Sequence, residues 1–389
     1  MTFPSIKTKA DWTLYTNAEE AWEAMLTACK EAKYSIDLEQ FIFVPDEIGK
    51  KFIDICAEKA KQGIRVRFMW DSAGSFSLFS SYLADDIRKK GIDIVFFGKL
   101  VPNFLRILNY RLLFFRNHRR SLIIDGSTNE GTAFTGSICV SDRMRNWRET
   151  NMKISGDTVI EISRAFDLLW LRAQGKKSKA LSNASLGVMR SKKDLRTLIS
   201  HDGFNYITNS PRPRQRFLYY RLIEAIQTAE KSIYITTPYF APTHKLLRVL
   251  RLAGLRGVDV RILLPQKSDH PIVDLCGRSY FSTLLRSGIK VFLYNGENES
   301  GQGRMIHNKT VAIDGTWATI GTLNMDTISL LYNYEGNIVS TNQDFIQEVV
   351  WHFEKDISES TQVDQATWNK RFFIKKVLEM GSRIMRKFL

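Results

Sequence analysis

The chain has 389 residues, 44% of them hydrophobic and 25% charged. That composition excludes a disordered protein, and the length suits two domains that each bury their own apolar residues. Lysine and arginine number 56 against 41 aspartates and glutamates, a formal charge of +15, so the surface should attract something anionic: nucleic acid, an acidic membrane or a phosphorylated substrate.

In chain order, the start MTFPSIKTKADW lacks a basic head followed by an apolar run, and no stretch reaches the roughly 18–20 uninterrupted apolar residues of a membrane-spanning helix. The expectation is a cytoplasmic protein, or one lying on a membrane without crossing it. YSIDLEQFIFVPDEI (34–48) is a β-branched and aromatic run stopped by a proline, the pattern of a buried strand ending in a turn. AEKAKQGIRVRFMWD (57–71) reads as helix, terminal glycine and alternating strand, and LADDIRKKGIDIVFF (83–97) repeats that order. KLVPNFLRILNYRLLFFR (99–116) mixes large apolar residues with Arg106, Arg111 and Arg116, and HRRSLIID (118–125) follows. A polar, basic, small-residue segment, GKKSKALSNASLGVMRSKKD (175–194), marks a join.

Beyond the join the series recurs as KSIYITTPYFAPTHK (231–245), LRLAGLRGVDVRILLP (250–265), FSTLLRSGIKVFLY (281–294) and HNKTVAID (307–314). Gly63 and Gly257, Gly91 and Gly288, and His118 and His307 are separated by 194, 197 and 189 residues. A nearly constant offset through four elements means duplication. The expected organisation is an α/β domain over 1–180, a second over 195–370 and a basic amphipathic tail over 371–389. Each domain should hold a mixed sheet flanked by helices, and a pseudo-two-fold axis should relate the two. Cys29, Cys56, Cys139 and Cys276 stand far apart, with no CxxC pair and no histidine at metal-ligand spacing, and read as buried free thiols.

Within the repeated motif, His118 and Arg120, like His307 and Lys309, are two apart and would leave a strand from one face. Asp125 and Asp314 come seven positions after the histidines, at odd parity in an ID-G turn, where local hydrogen bonding is the expected task. A lone histidine is usually structural, but two copies kept in register within a duplication point to chemistry. The sequence HNKTVAIDGTWATIGTLN, with Gly321, Thr322 and Asn324, resembles the HxKxxxxD and Gly-Ser/Thr-x-Asn signature of the phospholipase D superfamily. SIDLEQFIF, GVDVRILLPQKSDHP, RSYF and NWRETNMKISG extend the likeness over nearly the whole chain and are most similar to bacterial cardiolipin synthases of the shorter kind.

The resemblance implies two tandem phospholipase D-like domains with the active site at their interface, and a catalytic set of His118, Arg120, Asp125, His307, Lys309 and Asp314. Thr322 and Asn324 would hold phosphate. His118 would attack phosphorus to form a phosphohistidine while His307 protonates the departing oxygen, since a pKa near 6.5 lets one ring be neutral and the other charged near neutral pH. No metal or other cofactor is expected, because Lys309, Arg120 and Asn324 can hold the phosphoryl oxygens. Glu149 and Glu335, each in the strand following a motif, would orient the histidines, with the pairing left open. The first half departs from the signature twice: Arg120 replaces lysine, and Cys139 stands where asparagine belongs, after the turn GSTNEGTAFTGSIC, about three residues longer than its counterpart.

Two stretches point to a membrane surface. The tail sets Phe373, Val377, Ile384 and Phe388 along one helical face, with Lys375, Lys376, Arg383 and Lys387 elsewhere. The 99–116 segment places a basic, apolar stretch immediately before His118. The resulting expectation is a phosphatidyltransferase that makes cardiolipin and glycerol from phosphatidylglycerol, peripheral on the cytoplasmic side of the membrane, with a monomer sufficient. A phospholipase D hydrolase, a nuclease and a catalytically impaired lipid-binding module remain open, although the basic segments carry Leu, Ile and Phe instead of stacking aromatics along a groove.

Overall fold

The computed structural model describes residues 11–98, 115–175, 203–297, 301–371 and 373–389. The expected join at 176–194 and most of the 99–116 segment, including Arg106 and Arg111, lie outside these described residues.

The first half contributes strands β1 (Trp12–Asn17), β2 (Ser35–Gln40), β3 (Arg65–Asp71), β4 (Asp93–Phe97), β5 (Ser121–Ile124), β6 (Thr132–Gly136) and β7 (Arg148–Ser155). The second contributes β8 (Phe204–Asn209), β9 (Ser232–Thr236), β10 (Phe240–Ala241), β11 (Asp259–Pro265), β12 (Lys290–Tyr294), β13 (Thr310–Ile313), β14 (Trp317–Gly321), β15 (Met325–Asp326), β16 (Glu335–Ser340) and β17 (Ser360–Gln362). One sheet runs β1-β7-β6-β5-β2-β3-β4 and the other β8-β16-β14-β13-β9-β11-β12-β17. Apart from the added edge strand β17, the order is the same in both. Each sheet is mixed: β2, β3 and β4 are parallel, as are β9, β11 and β12, and the remaining neighbours pair antiparallel. The helix–glycine–strand units sit where the sequence puts them. Gly63, Gly91, Gly257 and Gly288 all take φ between 77° and 90°, the left-handed geometry that ends a helix without a Cβ penalty.

Strand β2 shows how the sheet meets the seam. Ile36 and Leu38 join the outer core of the first half, while the alternate residues Asp37 and Glu39 are equally buried. The two carboxylates are matched in place. Arg67 on β3 grips Asp37 through Nε and Nη2 at 2.6 and 2.7 Å, and Arg119 grips Glu39 at 3.0 and 2.8 Å. A third apolar cluster is shared by the halves: Met152, Phe166 and Trp170 from one pack with Tyr206, Ile320, Tyr334 and Phe345 from the other. All four cysteines are buried and free.

The motif aspartates end the strands β5 and β13 at positive φ, 52° for Asp125 and 55° for Asp314. Asp125 accepts from the backbone N–H of Lys33, Tyr34 and Ser35 at 2.7–2.9 Å. Asp314 does the same for Glu230, Lys231 and Ser232 at 2.8–2.9 Å. Each ties its turn to the start of the neighbouring antiparallel strand, β2 or β9. Replacing Asp314 by alanine removes three acceptor bonds and puts a side chain that cannot bond locally into a left-handed turn. The expected cost is about 1–3 kcal/mol, seen as a lower urea midpoint, with turnover per folded molecule unchanged.

Candidate active site

The histidines are held by the opposite half. His118 and Arg120, and His307 and Lys309, lie on extended lead-ins just before β5 and β13, not within those strands as the spacing implies. The reason is backbone pairing across the seam. His118 N donates to Tyr334 O and Tyr334 N to Arg116 O, both 2.9 Å. His307 N donates to Arg148 O at 2.8 Å and Arg148 N to Met305 O at 2.9 Å. Arg148 also grips Asp356 at 2.8 Å, so the second crossing is locked by a buried ion pair.

These bridges put each histidine beside the other half's glutamate. His118 Nδ1 is 3.0 Å from both carboxylate oxygens of Glu335, and His307 Nδ1 is 2.8 Å from Glu149 Oε1. Both carboxylates are fully buried. They sit at the heads of β7 and β16, one strand later than the sequence places them, because the hairpin partners β6 and β14 intervene. Small hydroxyls complete the arrangement: Ser137 donates to Glu149, while Thr322 and Ser329 donate to Glu335 at 2.5 and 2.6 Å. Thr322 is thus bonded to the orienting glutamate. Ser137 is its counterpart in TGSIC, legible had the two glycine turns been laid over one another; Ser329 carries no such signal. The glycines ahead of these hydroxyls are required by close approach, since a Cβ on Gly136 would lie 2.3 Å from Thr150 O and one on Gly321 2.5 Å from Gly336 O.

The cations face the other ring nitrogen. Lys309 Nζ is 2.9 Å from His307 Nε2, and Arg120 Nη2 is 3.0 Å from His118 Nε2. A guanidinium can only donate, so His118 Nε2 must accept and the ring's proton sits on Nδ1, toward Glu335. Phe41 packs edge-on to His118 with centroids 4.8 Å apart, and Trp147 and Tyr239 flank His307 at 5.0 and 6.1 Å. Asn324 is buried with its side-chain oxygen unpaired. Asp125 and Asp314, counted in the signature, do not join this cluster. Arg116 is not part of a lipid-facing entrance either, because it is buried with Asp71, at 2.9 Å through Nε.

Burial first, then Arg120, pushes His118 down to about 4, with Glu335 opposing and Lys309 adding to the fall. For His307 burial again leads; Glu149 opposes it, Lys309 and Arg120 add to the fall, and the ring also drops to about 4. The cation of each half therefore acts on the histidine of the other. Burial and Arg120 together lower Lys309 to about 7. Burial opposes the charge on Glu149, but His307 and Lys309 hold its carboxyl below the ordinary range. Burial thus favours the neutral form of both imidazoles, because a desolvated ring beside a cation cannot hold a second proton cheaply.

The sign of the resulting pH dependence is fixed. Above pH 6.5, the ordinary histidine value, the rings are neutral in folded and unfolded chains alike, whereas below it the unfolded chain takes up protons that the buried rings refuse. The two rings should therefore cost stability as pH drops from 6.5 toward 5, partly offset by Asp326, whose buried carboxyl, raised to about 7, takes up a proton in the folded chain over the same range. Melting curves should show this loss of stability, and it should shrink in the doubly substituted His118→Asn, His307→Asn protein.

Residues 222–357 match the family model described as cardiolipin synthase, PLD-like domain. Cardiolipin synthase 2 of Bacillus anthracis is 32% identical over 390 residues, covering 96% of this chain and 70% of that protein. A probable cardiolipin synthase of Bacillus subtilis is also 32% identical, covering 98% and 72%. Among solved structures, the phosphatidylserine synthase of Haemophilus influenzae superposes with a TM-score of 0.71 at 12% identity, covering 97% of this chain and 95% of that one. The fold is accordingly that of tandem phospholipase D-like domains, and with similarity of this strength through both halves, the chain is an enzyme of the phospholipase D superfamily and belongs to its cardiolipin synthase family, a family of phosphatidyltransferases.

Proposed function

We propose that this protein transfers a phosphatidyl group from phosphatidylglycerol through a phosphohistidine to the free hydroxyl of a second phosphatidylglycerol, yielding cardiolipin and glycerol. The observation that carries the reading is the pair of Nδ1-anchored imidazoles, each with Nε2 beside a cation that could take a phosphoryl oxygen. His118 is the nucleophile: Arg120 can only donate, so Nε2 keeps its lone pair. Attack forms the P–N bond and breaks the bond to the glycerol oxygen, which takes its proton from His307. That ring can carry the proton because Lys309, lowered to about 7, can give up its own charge, and the arriving phosphodiester anion favours the charged ring. In the second half-reaction the incoming hydroxyl returns a proton to His307, and its oxygen displaces His118 from phosphorus. Arg120 neutralises the phosphoryl oxygens while Lys309 and Asn324 hold them by donating hydrogen bonds, so the chemistry needs no metal ion. We take the two domains as 1–180 and 195–370, with one chain sufficient for the site.

The surface supports a lipid substrate. Among the described residues no helix is long and apolar enough to cross a membrane. The tail forms a helix, Phe373–Ser382, and a short turn, Arg383–Phe388, seated by polar contacts: Arg383 donates to Ser279 at 2.9 Å, Arg386 to His244 at 2.7 Å, and Arg371 holds Glu379 at 2.5 Å. Among its described side chains Met380 is 66% and Ile384 78% exposed, with Leu378 and Met385 also exposed; the side chains of Phe373, Val377 and Phe388, expected on the apolar face, lie outside the described ones. Leu389 O accepts from Ile328 N at 3.0 Å, tying the tail to the helix Thr327–Leu331, which lies between Asn324 and Glu335. An outward apolar patch on a protein of charge +15 suits the headgroup region of an anionic bilayer and supports a peripheral position, which we take to be on the cytoplasmic side.

Mass spectrometry of products from mixed phosphatidylglycerol and phosphatidylethanolamine vesicles should show cardiolipin and free glycerol. His118→Asn and His307→Asn should each lower the rate by roughly 10²–10⁴-fold; phosphatidic acid alone would make the enzyme a hydrolase. In vesicle sedimentation, paired Met380→Glu and Ile384→Glu changes should weaken binding to anionic vesicles by at least about 10-fold while leaving cleavage of a soluble diester unaffected.

A further inference from the structure

The two half-sites follow one plan with one exchange of parts. Ser121 faces Thr135 across the hairpin of β5 and β6, and Thr310 faces Ile320 across that of β13 and β14. Four residues beyond each facing position stand Cys139 and Asn324, so the two are structurally equivalent. The turns between these strands, 125–131 and 314–316, differ in length, but the register is regained before the glycine. The longer turn therefore does not displace Cys139.

Lys309 makes two contacts with one nitrogen: Nζ reaches His307 Nε2 at 2.9 Å and His307 O at 2.5 Å. Arg120 makes the same two with separate nitrogens, Nη2 to His118 Nε2 at 3.0 Å and Nη1 to His118 O at 3.1 Å. That leaves Nε, an N–H where lysine has only methylene. In a fully buried guanidinium this donor needs an acceptor, and Cys139 Sγ lies 2.9 Å from it. Cys139 is itself fully buried, and its carbonyl is fixed by Trp22 Nε1 at 3.0 Å. The Phe41 ring that packs on His118 also lies 5.9 Å from the guanidinium. Sulfur behind, carbonyl below and aromatic ring alongside leave one orientation for the fork.

We infer that Arg120 and Cys139 are a matched pair, in which Cys139 is a positioning residue that holds the guanidinium so that Nη2 meets His118 Nε2 and the phosphoryl oxygen bound there. Asparagine at 139 would push a branched amide into the space of the longer cation, and lysine at 120 would leave the sulfur without its donor. The departures of the first half from the signature are one compensated change and not the decay of a half-site. This rests on the proposed reading of the two histidines as the phosphoryl-handling pair.

The test is a double-substitution cycle of R120K, C139N and the two combined, with each protein's folded fraction checked by its melting curve. Three readouts serve: lipid transfer, hydrolysis of bis(4-nitrophenyl) phosphate, which needs no lipid acceptor, and affinity for vanadate, a mimic of five-coordinate phosphorus. Each single change should lower kcat about 10-fold or more with KM shifted less, and the combined protein should recover to within about 3-fold of the parent. Cys139→Ser, which keeps an acceptor, should retain most activity, and Cys139→Ala should not; this pair decides the matter if asparagine does not fold. Multiplying losses in the cycle, or equal activity of the serine and alanine proteins, overturns the pairing alone. A parent protein that neither cleaves the diester nor binds vanadate overturns both the pairing and the proposed function.

Discussion

Everything at this site depends on a crossing. Each histidine belongs to one half by sequence and to the other by bonding, because its lead-in pairs by backbone with the residue just before the opposite half's glutamate. The carboxylate fixes the ring's orientation and proton, so neither half can assemble a working imidazole by itself. The shared core of Met152, Phe166, Tyr206, Ile320 and Phe345 supplies the apolar burial that holds the halves closed. The Arg148–Asp356 ion pair adds a directional clamp where His307 is presented.

Closure also sets the electrostatics. Drawing two imidazoles, two cations and two carboxylates out of water disfavours any charge without a partner, and the resting site answers by keeping both rings neutral. The two carboxylates then balance the two cations, and an arriving phosphodiester adds one negative charge between those cations. In the proposed reaction that added charge is also what favours a proton on one imidazole, ready for the leaving alcohol. The unlike cations divide the labour, since a guanidinium is permanently charged near neutral pH and the buried amine is poised close to it.

Much of this was legible in the sequence because duplication records topology. Four pairs of elements at nearly constant offset imply sheets of the same order, and the odd parity of Asp125 and Asp314 separates turn scaffolding from chemistry even though the signature counts them together. Other features could not be read. Which glutamate serves which histidine depends on how two domains face one another, and no local pattern encodes that. Parity placed the histidines within strands, whereas their lead-ins pair across the seam. Arg116 reads as the basic edge of an amphipathic stretch, yet Asp71, 45 positions away in sequence, makes it a core ion pair. Hydroxyls such as Ser329 are chosen by packing around a buried carboxylate and have no spacing of their own.

The crossed wiring is geometrically the same as that of a dimer of identical lobes, with one difference in freedom. Two identical chains meeting at such a seam must carry every substitution twice, once beside each imidazole. Covalent linkage of the lobes lifts that requirement: a cation and its contact partner can be exchanged on one side while the sister position stays as it was. Arginine with cysteine on one flank and lysine with asparagine on the other is an arrangement open only to a molecule whose symmetry is approximate, and it gives the two imidazoles chemically distinct surroundings.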